Sequence, residues 1–181
     1  MELGQYDEAA KLLAQVAAAP GLPKPLAHEA RLAQAAALIR AGKASEAQAV
    51  LSAAAADGFP ASGRLRQELT IVQAAAKAPK PATGSDGRPA KPAEAVKALE
   101  DAIGQATAAE ARGVGYGLLG DLYAAHGFPR DAMWSYLWVD TVYPEAKDER
   151  VLAVRKLAGV FEALDDRDRA EQYREKLPRV R

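Results

Sequence analysis

The 181-residue chain contains no cysteine, two histidines, two tryptophans and three phenylalanines. Without cysteine there is no disulfide framework and no thiolate chemistry, and the redox compartment stays open. The histidines, His28 and His126, lie far apart, and neither sits in an H-x-x-x-H or H-E-x-x-H spacing. No metal ligand set follows from them. Acidic and basic residues balance at 24 each, so no global field draws the chain to nucleic acid or an anionic membrane. No apolar run reaches the roughly 18 residues of a membrane span. The stretch KLLAQVAAAP (11–20) resembles a signal peptide only faintly. It is too short, and Glu2, Asp7 and Glu8 precede it where positive charge belongs. Both a cytoplasmic and a periplasmic setting stay open. No glycine-rich stretch carries the Lys-Ser/Thr of a phosphate loop, and the serines have no nucleophile motif around them. The paired Asp165-Asp166 reads as a helix cap. The expectation is a chain without catalytic residues, metal or cofactor.

What is present is alanine at helical spacing. The stretch 116–144, YGLLGDLYAAHGFPRDAMWSYLWVDTVYP, places Tyr116, Leu119, Gly120 and Tyr123 at i, i+3, i+4 and i+7, one face of a helix. Ala132, Tyr136 and Val139 form the face of a second helix. Gly127 ends the first, and Pro129 suits the opening turn of the next. Small residues at 120 and 132 let the two helices approach closely. The order of these residues resembles the tetratricopeptide repeat, a helix–turn–helix unit of 34 residues with Leu-Gly, Tyr, Ala, an aromatic and Pro at fixed offsets.

The pattern recurs along the chain. Gly4 and Ala9 stand in the spacing of Gly127 and Ala132, so the sequence opens on the second helix of a unit, as a fragment of a longer array would. A pair of helices is expected over 25–41 and 45–56, with Gly42 and Ala47 in the turn spacing. Ala35 and Leu38 stand where Gly120 and Tyr123 stand. A third pair runs from Ser62, a candidate N-cap, to about Ala76 and resumes at Pro92 with Ala95, Leu99 and Ala102. Between its helices lies KAPKPATGSDGRPAKP (77–92), a flexible Pro/Lys-rich insertion by composition. Lys77, Lys80, Arg88 and Lys91 give it a positive excess. It has no interleaved aromatics for stacking on bases, so no nucleic-acid contact is expected. Thr107-x-x-Glu110 reads as a capping box for the fourth pair, and His126 as a cation at that helix's C-terminal end. In the fifth pair Val154, Leu157, Ala158 and Phe161 face inward, Asp166 caps the last helix, and Ala170, Tyr173 and Leu177 continue it. The anchors Ala9, Ala47, Ala95, Ala132 and Ala170 are separated by 38, 48, 37 and 38 residues, the long interval holding the insertion. The expected fold is one all-α domain over 1–181, a right-handed α-α superhelix of about four and a half helix pairs.

Two features stand apart from the repeat core. Gly113, Gly117, Asp121 and Ala124 form one stripe of a helix. The resemblance implies that first helices line a concave groove, with this stripe facing it; the alternative, and the expected one, is close packing on the preceding helix. Continued onto the next unit, the stripe reaches Arg155 and Gly159. Trp134 and Trp138 lie off the Ala132–Tyr136–Val139 face. Three surfaces are open to them: the preceding pair around Leu99 and Ile103, which is the expected one, the insertion, or another protein. The candidate partner-binding residues are Gly117, Asp121, Ala124, Trp134, Trp138 and Arg155. The resemblance implies a non-catalytic scaffold that holds a peptide or helix of a partner protein. A spacer in a larger bacterial envelope or secretion assembly, or a regulatory module beside a catalytic domain, are the other readings. Self-association through exposed ends is allowed. The Lys, Asn and Arg set with which some family members hold a C-terminal carboxylate is missing from the stripe.

Overall fold

The computed structural model describes residues 3–84 and 87–180. Nine α-helices follow one another among these residues: α1 (Leu3–Ala17), α2 (Lys24–Arg40), α3 (Ala44–Ala56), α4 (Arg64–Ala76), α5 (Ala93–Gln105), α6 (Ala109–Ala125), α7 (Pro129–Thr141), α8 (Lys147–Ala163) and α9 (Arg167–Lys176). A short 3₁₀ turn (Leu177–Arg179) follows. There is no β-strand among the described residues, only an isolated bridge between Thr83 and Pro89. Each helix packs on its successor, and α2, α4, α6 and α8 also pack on one another in sequence. The expected all-helical chain is therefore present, with helices in the expected order. α1 already includes Gly4, so that glycine lies within a helix rather than at a turn.

The interior is built from the predicted faces. Ala132, Tyr136 and Val139 of α7 are buried, as are Val154, Leu157, Ala158 and Phe161 of α8 and Ala170 of α9. All of them except Val154 and Ala158 join Leu51, Leu69, Ile71, Leu99 and Leu118 in one continuous core. Alanine makes this arrangement possible in two ways. It is the best helix former, and its small side chain lets neighbouring helices close to short distances.

Three corners are built alike. At each, one residue adopts a left-handed conformation: Gly42 (φ 77°), Gly127 (φ 77°) and Asp165 (φ 60°). The following amide closes the helix from outside. Lys43 N–H donates to Leu38 O (2.8 Å), Phe128 N–H to Tyr123 O (2.9 Å) and Asp166 N–H to Phe161 O (2.9 Å). These bonds satisfy carbonyls that the helix ends leave open. The anchoring alanine follows five residues after each left-handed position. Asp165 thus occupies a glycine position, at the cost of its own Cβ.

Capping departs from expectation in two places. Gly63, not Ser62, is the N-cap of α4, and no side chain caps it. The Thr107-x-x-Glu110 box does not form either. The amides of Thr107 and Ala108 donate instead to Gln67 Oε1 of α4, each at 2.9 Å, and Gln67 Nε2 donates to Thr107 Oγ1 (2.9 Å). A tertiary partner has replaced the local one. Asp166 does cap α9, accepting from Arg169 N–H (3.1 Å).

The glycines of α6 are contact points, and they face different neighbours. A Cβ on Gly115 would meet Ile103 Cγ1 at 2.4 Å, and one on Gly120 would meet Tyr136 Cε1 at 2.4 Å. On the predicted stripe, a Cβ on Gly113 would meet Ala146 Cβ at 2.4 Å, and one on Gly117 would fall on the Glu149 carboxylate. The stripe therefore packs against the start of the following helix, α8, and not against the preceding one.

The corner geometry generates a stability prediction. Gly42 has open space where a Cβ would go, so Gly42→Ala isolates the backbone cost, about 1 kcal/mol or somewhat more. Asp165→Gly removes the same strain and should raise stability by about 0.5–1 kcal/mol. Urea unfolding of both variants checks this; an Asp165→Gly variant no more stable than the parent contradicts the equivalence of the corners.

Candidate functional site

A concave groove of about 900 Å³ opens between the ends of α2, α4, α6 and α8, with Tyr6 of α1 at one side and residues 78–81 of the insertion at another. Ile39, Leu118, Leu122 and Val160 supply apolar wall; Arg40, Asp121 and Lys156 supply charge. The charges are organised before any ligand arrives. Arg40, the last residue of α2, donates from Nε to Asp121 Oδ2 of α6 (2.8 Å) and from Nη2 to Glu149 of α8. Asp121 Oδ1 also accepts from Tyr136 Oη (2.6 Å) and from Lys156 Nζ of α8. The Lys156 ammonium lies near two rings, 5.6 Å from the centroid of Tyr6 and 5.5 Å from that of Tyr136, within reach of their negative faces.

Two cations and two carboxylates balance within this cluster. The Arg40 side chain is only 7% exposed. Removing such charges from water is costly unless each finds a partner. Here each does. Burial alone would push the Asp121 carboxyl up, but Lys156 and Arg40, with the hydrogen bonds from Lys156 and Tyr136, hold it at about 2. Burial opposes the Arg40 charge, and Glu149 and Asp121 more than reverse that, so its pKa rises. Burial and the Asp121 carboxylate push the Tyr136 phenol well up, keeping it a proton donor. Gly117 is part of the device: without a Cβ there, Glu149 can reach Arg40.

A second buried carboxylate, Asp140, fastens the later helices. It accepts from Arg150 Nε (3.1 Å), Tyr173 Oη (3.3 Å) and Lys176 Nζ, joining α7, α8 and α9. Burial and the Asp140 carboxylate push the Tyr173 phenol up to about 12.

Of the six residues singled out in the sequence, the groove brings together Asp121, Ala124 and Arg155. Ala124 and Arg155 are exposed there; Asp121 is already fully engaged. Gly117 is buried under Glu149 and does not face the groove. Trp134 and Trp138 lie elsewhere, 62% and 43% exposed on the outer side of α7. They do not pack around Leu99 and Ile103. Those side chains are buried, and Ile103 fills the space that Gly115 leaves. Trp138 instead stacks on Tyr116 (5.4 Å between centroids), which in turn stacks on Tyr143 (5.5 Å). Sequence reasoning missed Arg40, Glu149, Lys156 and Tyr6. The one available signal was Arg40 ending the apolar run AAALI.

Residues 78–81 of the insertion form one wall of the groove. Gly84 N–H donates to Arg88 O (2.7 Å) and Ala90 N–H to Ala82 O (2.9 Å), so the segment folds back on itself. His126 is buried beneath it, with Nδ1 3.4 Å from Ala90 O and Nε2 3.3 Å from Pro79 O. It stands at the C-cap of α6, the end where the sequence placed it, and its ring lies between these two carbonyls of the insertion. Lys91 adds a second hold, 5.1 Å from the Tyr123 ring centroid and 3.6 Å from Asp131. His28 is buried too, tilted against Phe59 at 4.5 Å.

No group of three or more His, Cys, Asp or Glu among the described residues is placed to hold a metal ion. No helix of the described residues is long and apolar enough to cross a membrane. No protein-family model, curated protein or solved structure matches the chain.

Two predictions follow from the groove floor and its wall. The Asp121 carboxyl is depressed in the folded chain, so its pairing stabilises the fold above the ordinary carboxylate pKa. That contribution is lost as pH falls from about 4 towards 2, and amounts to roughly 2–3 kcal/mol. Asp121→Asn should lower stability at neutral pH by about 3–5 kcal/mol and flatten this acid-dependent step. Melting temperatures of the two proteins that fall in parallel over that window contradict the assignment. For the wall, His126→Ala should weaken the hold on the insertion by about 1 kcal/mol. Hydrogen exchange at the Gly84 and Ala90 amides should then quicken roughly fivefold, while the amides of α8 keep their protection.

Proposed function

We propose that this chain is a tetratricopeptide-like right-handed solenoid of about four and a half helix pairs, and that it works without catalysis by holding a segment of a partner protein in its groove. The observation that carries the reading is the groove itself: apolar side chains beside charges that are already paired, reached from an open concave side. A groove of this kind is suited to burying apolar side chains of a peptide.

The remaining charge suggests what the segment carries. Arg40 is matched by Glu149, and Lys156 by Asp121. Two cations on the groove, Lys80 and Arg155, make no ion pair among the described residues. A segment with apolar residues and one or two carboxylates complements them. A C-terminal carboxylate clamp is not part of the reading, because Asp121 puts negative charge on the stripe where that clamp needs cations.

The test uses selection from a displayed peptide library against the whole chain, followed by titration of the selected peptides. Ala124→Trp projects a large side chain into the groove from an exposed position and should lower affinity at least tenfold. Arg155→Glu should weaken acidic peptides selectively. Selected peptides that bind both variants as well as the parent rule out the groove as the binding site.

A further inference from the structure

The outward side of α7 carries a stripe that the groove does not use. Arg130, Trp134, Trp138 and Val142 recur every four residues and are all exposed, Trp134 at 62%, Trp138 at 43% and Val142 at 46%. From Trp134 to Val142 the stripe runs about 12 Å along the helix axis. Glu145 lies just beyond the helix end and is exposed. Neither Arg130 nor Glu145 makes an ion pair among the described residues.

The order of this stripe is self-complementary when reversed. Along the chain about Trp138, the cation Arg130 precedes the large apolar residues and the carboxylate Glu145, in the turn after α7, follows them. We propose that the α7 stripe is a two-fold self-association surface, in which α7 of a second copy lies antiparallel on it. Trp138 meets its counterpart on the axis, Trp134 meets Val142 of the second copy, and Arg130 meets Glu145 of the second copy. The last two contacts occur twice, as a two-fold interface requires. A different partner would need its own complement to this order; a second copy supplies it without further assumption.

The size of the patch sets the strength. At their observed exposures the two indoles offer on the order of 200 Å² of apolar surface per copy. That is well below the ~1,200–2,000 Å² buried in a standard stable interface, so the dimer is weak. It assembles at high local concentration and dissociates on dilution. Trp138 is held from behind by its stack on Tyr116, so little side-chain freedom is lost when it docks.

Sedimentation equilibrium of the whole chain from about 10 µM to 1 mM tests the proposal, with half-association expected on the order of 0.1–1 mM. Trp134→Ser, at the most exposed position of the stripe, should abolish association and leave the helical circular dichroism and melting temperature unchanged. Arg130→Glu and Glu145→Arg should each weaken the dimer about tenfold by opposing like charges. The double variant Arg130→Glu, Glu145→Arg restores both pairs and should recover the parent's affinity. A monomer throughout the range overturns the proposal. So does association that survives Trp134→Ser, which would place the contact elsewhere, as on exposed Leu12 and Val16 of α1. Failure of the double variant to recover overturns the antiparallel register. None of these readouts depends on a peptide in the groove.

Discussion

The contact between Arg40 and Glu149 spans 109 residues, and much of the molecule's shape rests on it. Helices α2 and α8 lie far apart in the chain, and each packs mainly on its chain neighbours, α2 on α1 and α3, α8 on α7 and α9. What brings their facing ends together is the charge cluster around Asp121. A cluster of this kind is asymmetric in its energetics. Assembled, it roughly balances its own desolvation; with one member removed, it leaves a buried charge without a partner. An arrangement of the helices that breaks one contact of the cluster therefore carries a large cost. The curvature that makes a groove is held by the same residues that line its floor.

Helix α6 is the hub through which this works. Interior glycine costs a helix roughly 1 kcal/mol relative to alanine, and α6 carries four. Each is occupied from outside: Gly113 by Ala146, Gly115 by Ile103, Gly117 by Glu149 and Gly120 by Tyr136. The sacrifice in helix propensity is offset by close contact on four sides. Tyr136 shows how the levels connect. It packs against Gly120, and that approach lets its hydroxyl reach Asp121 on the next residue of α6. Packing and electrostatics meet there in one side chain.

The helical order of the chain was legible because it rests on local rules. Alanine and leucine at helical spacing, glycine at corners and proline at helix starts point to the helices the structure shows, in the same order; the left-handed backbone of Asp165 came only with the structure. What could not be read were contacts whose partner lies far away in sequence. Thr107 looked like a local cap because nothing nearby revealed that Gln67 would replace it. The Gly113–Gly117 stripe was recognised as a close approach, but periodicity does not say from which side the neighbour comes. Composition does not show that the buried His126, at the end of another helix, lies against the insertion. Asp121, Ala124 and Arg155, which the sequence pattern singles out, line the groove. The rest of its floor was not legible, since Arg40 and Lys156 look like ordinary surface charges until the superposed units bring them together.

The two surfaces divide the fourth helix pair between them. α6 turns Asp121, Leu122 and Ala124 to the groove, while α7 turns Trp134 and Trp138 away from it. Pairing two copies through α7 therefore leaves both grooves open. Weak pairing has a use in that geometry. A partner carrying two suitable segments meets the second groove at an effective concentration set by its own linker, and binding one segment promotes binding of the other. Under the two proposals the same partner would draw two copies together and strengthen an α7 contact too small to persist alone. By linkage the two events favour one another equally. On these two proposals, a helical chain with one modest groove and one modest patch would gain selectivity for partners that present their segments in pairs.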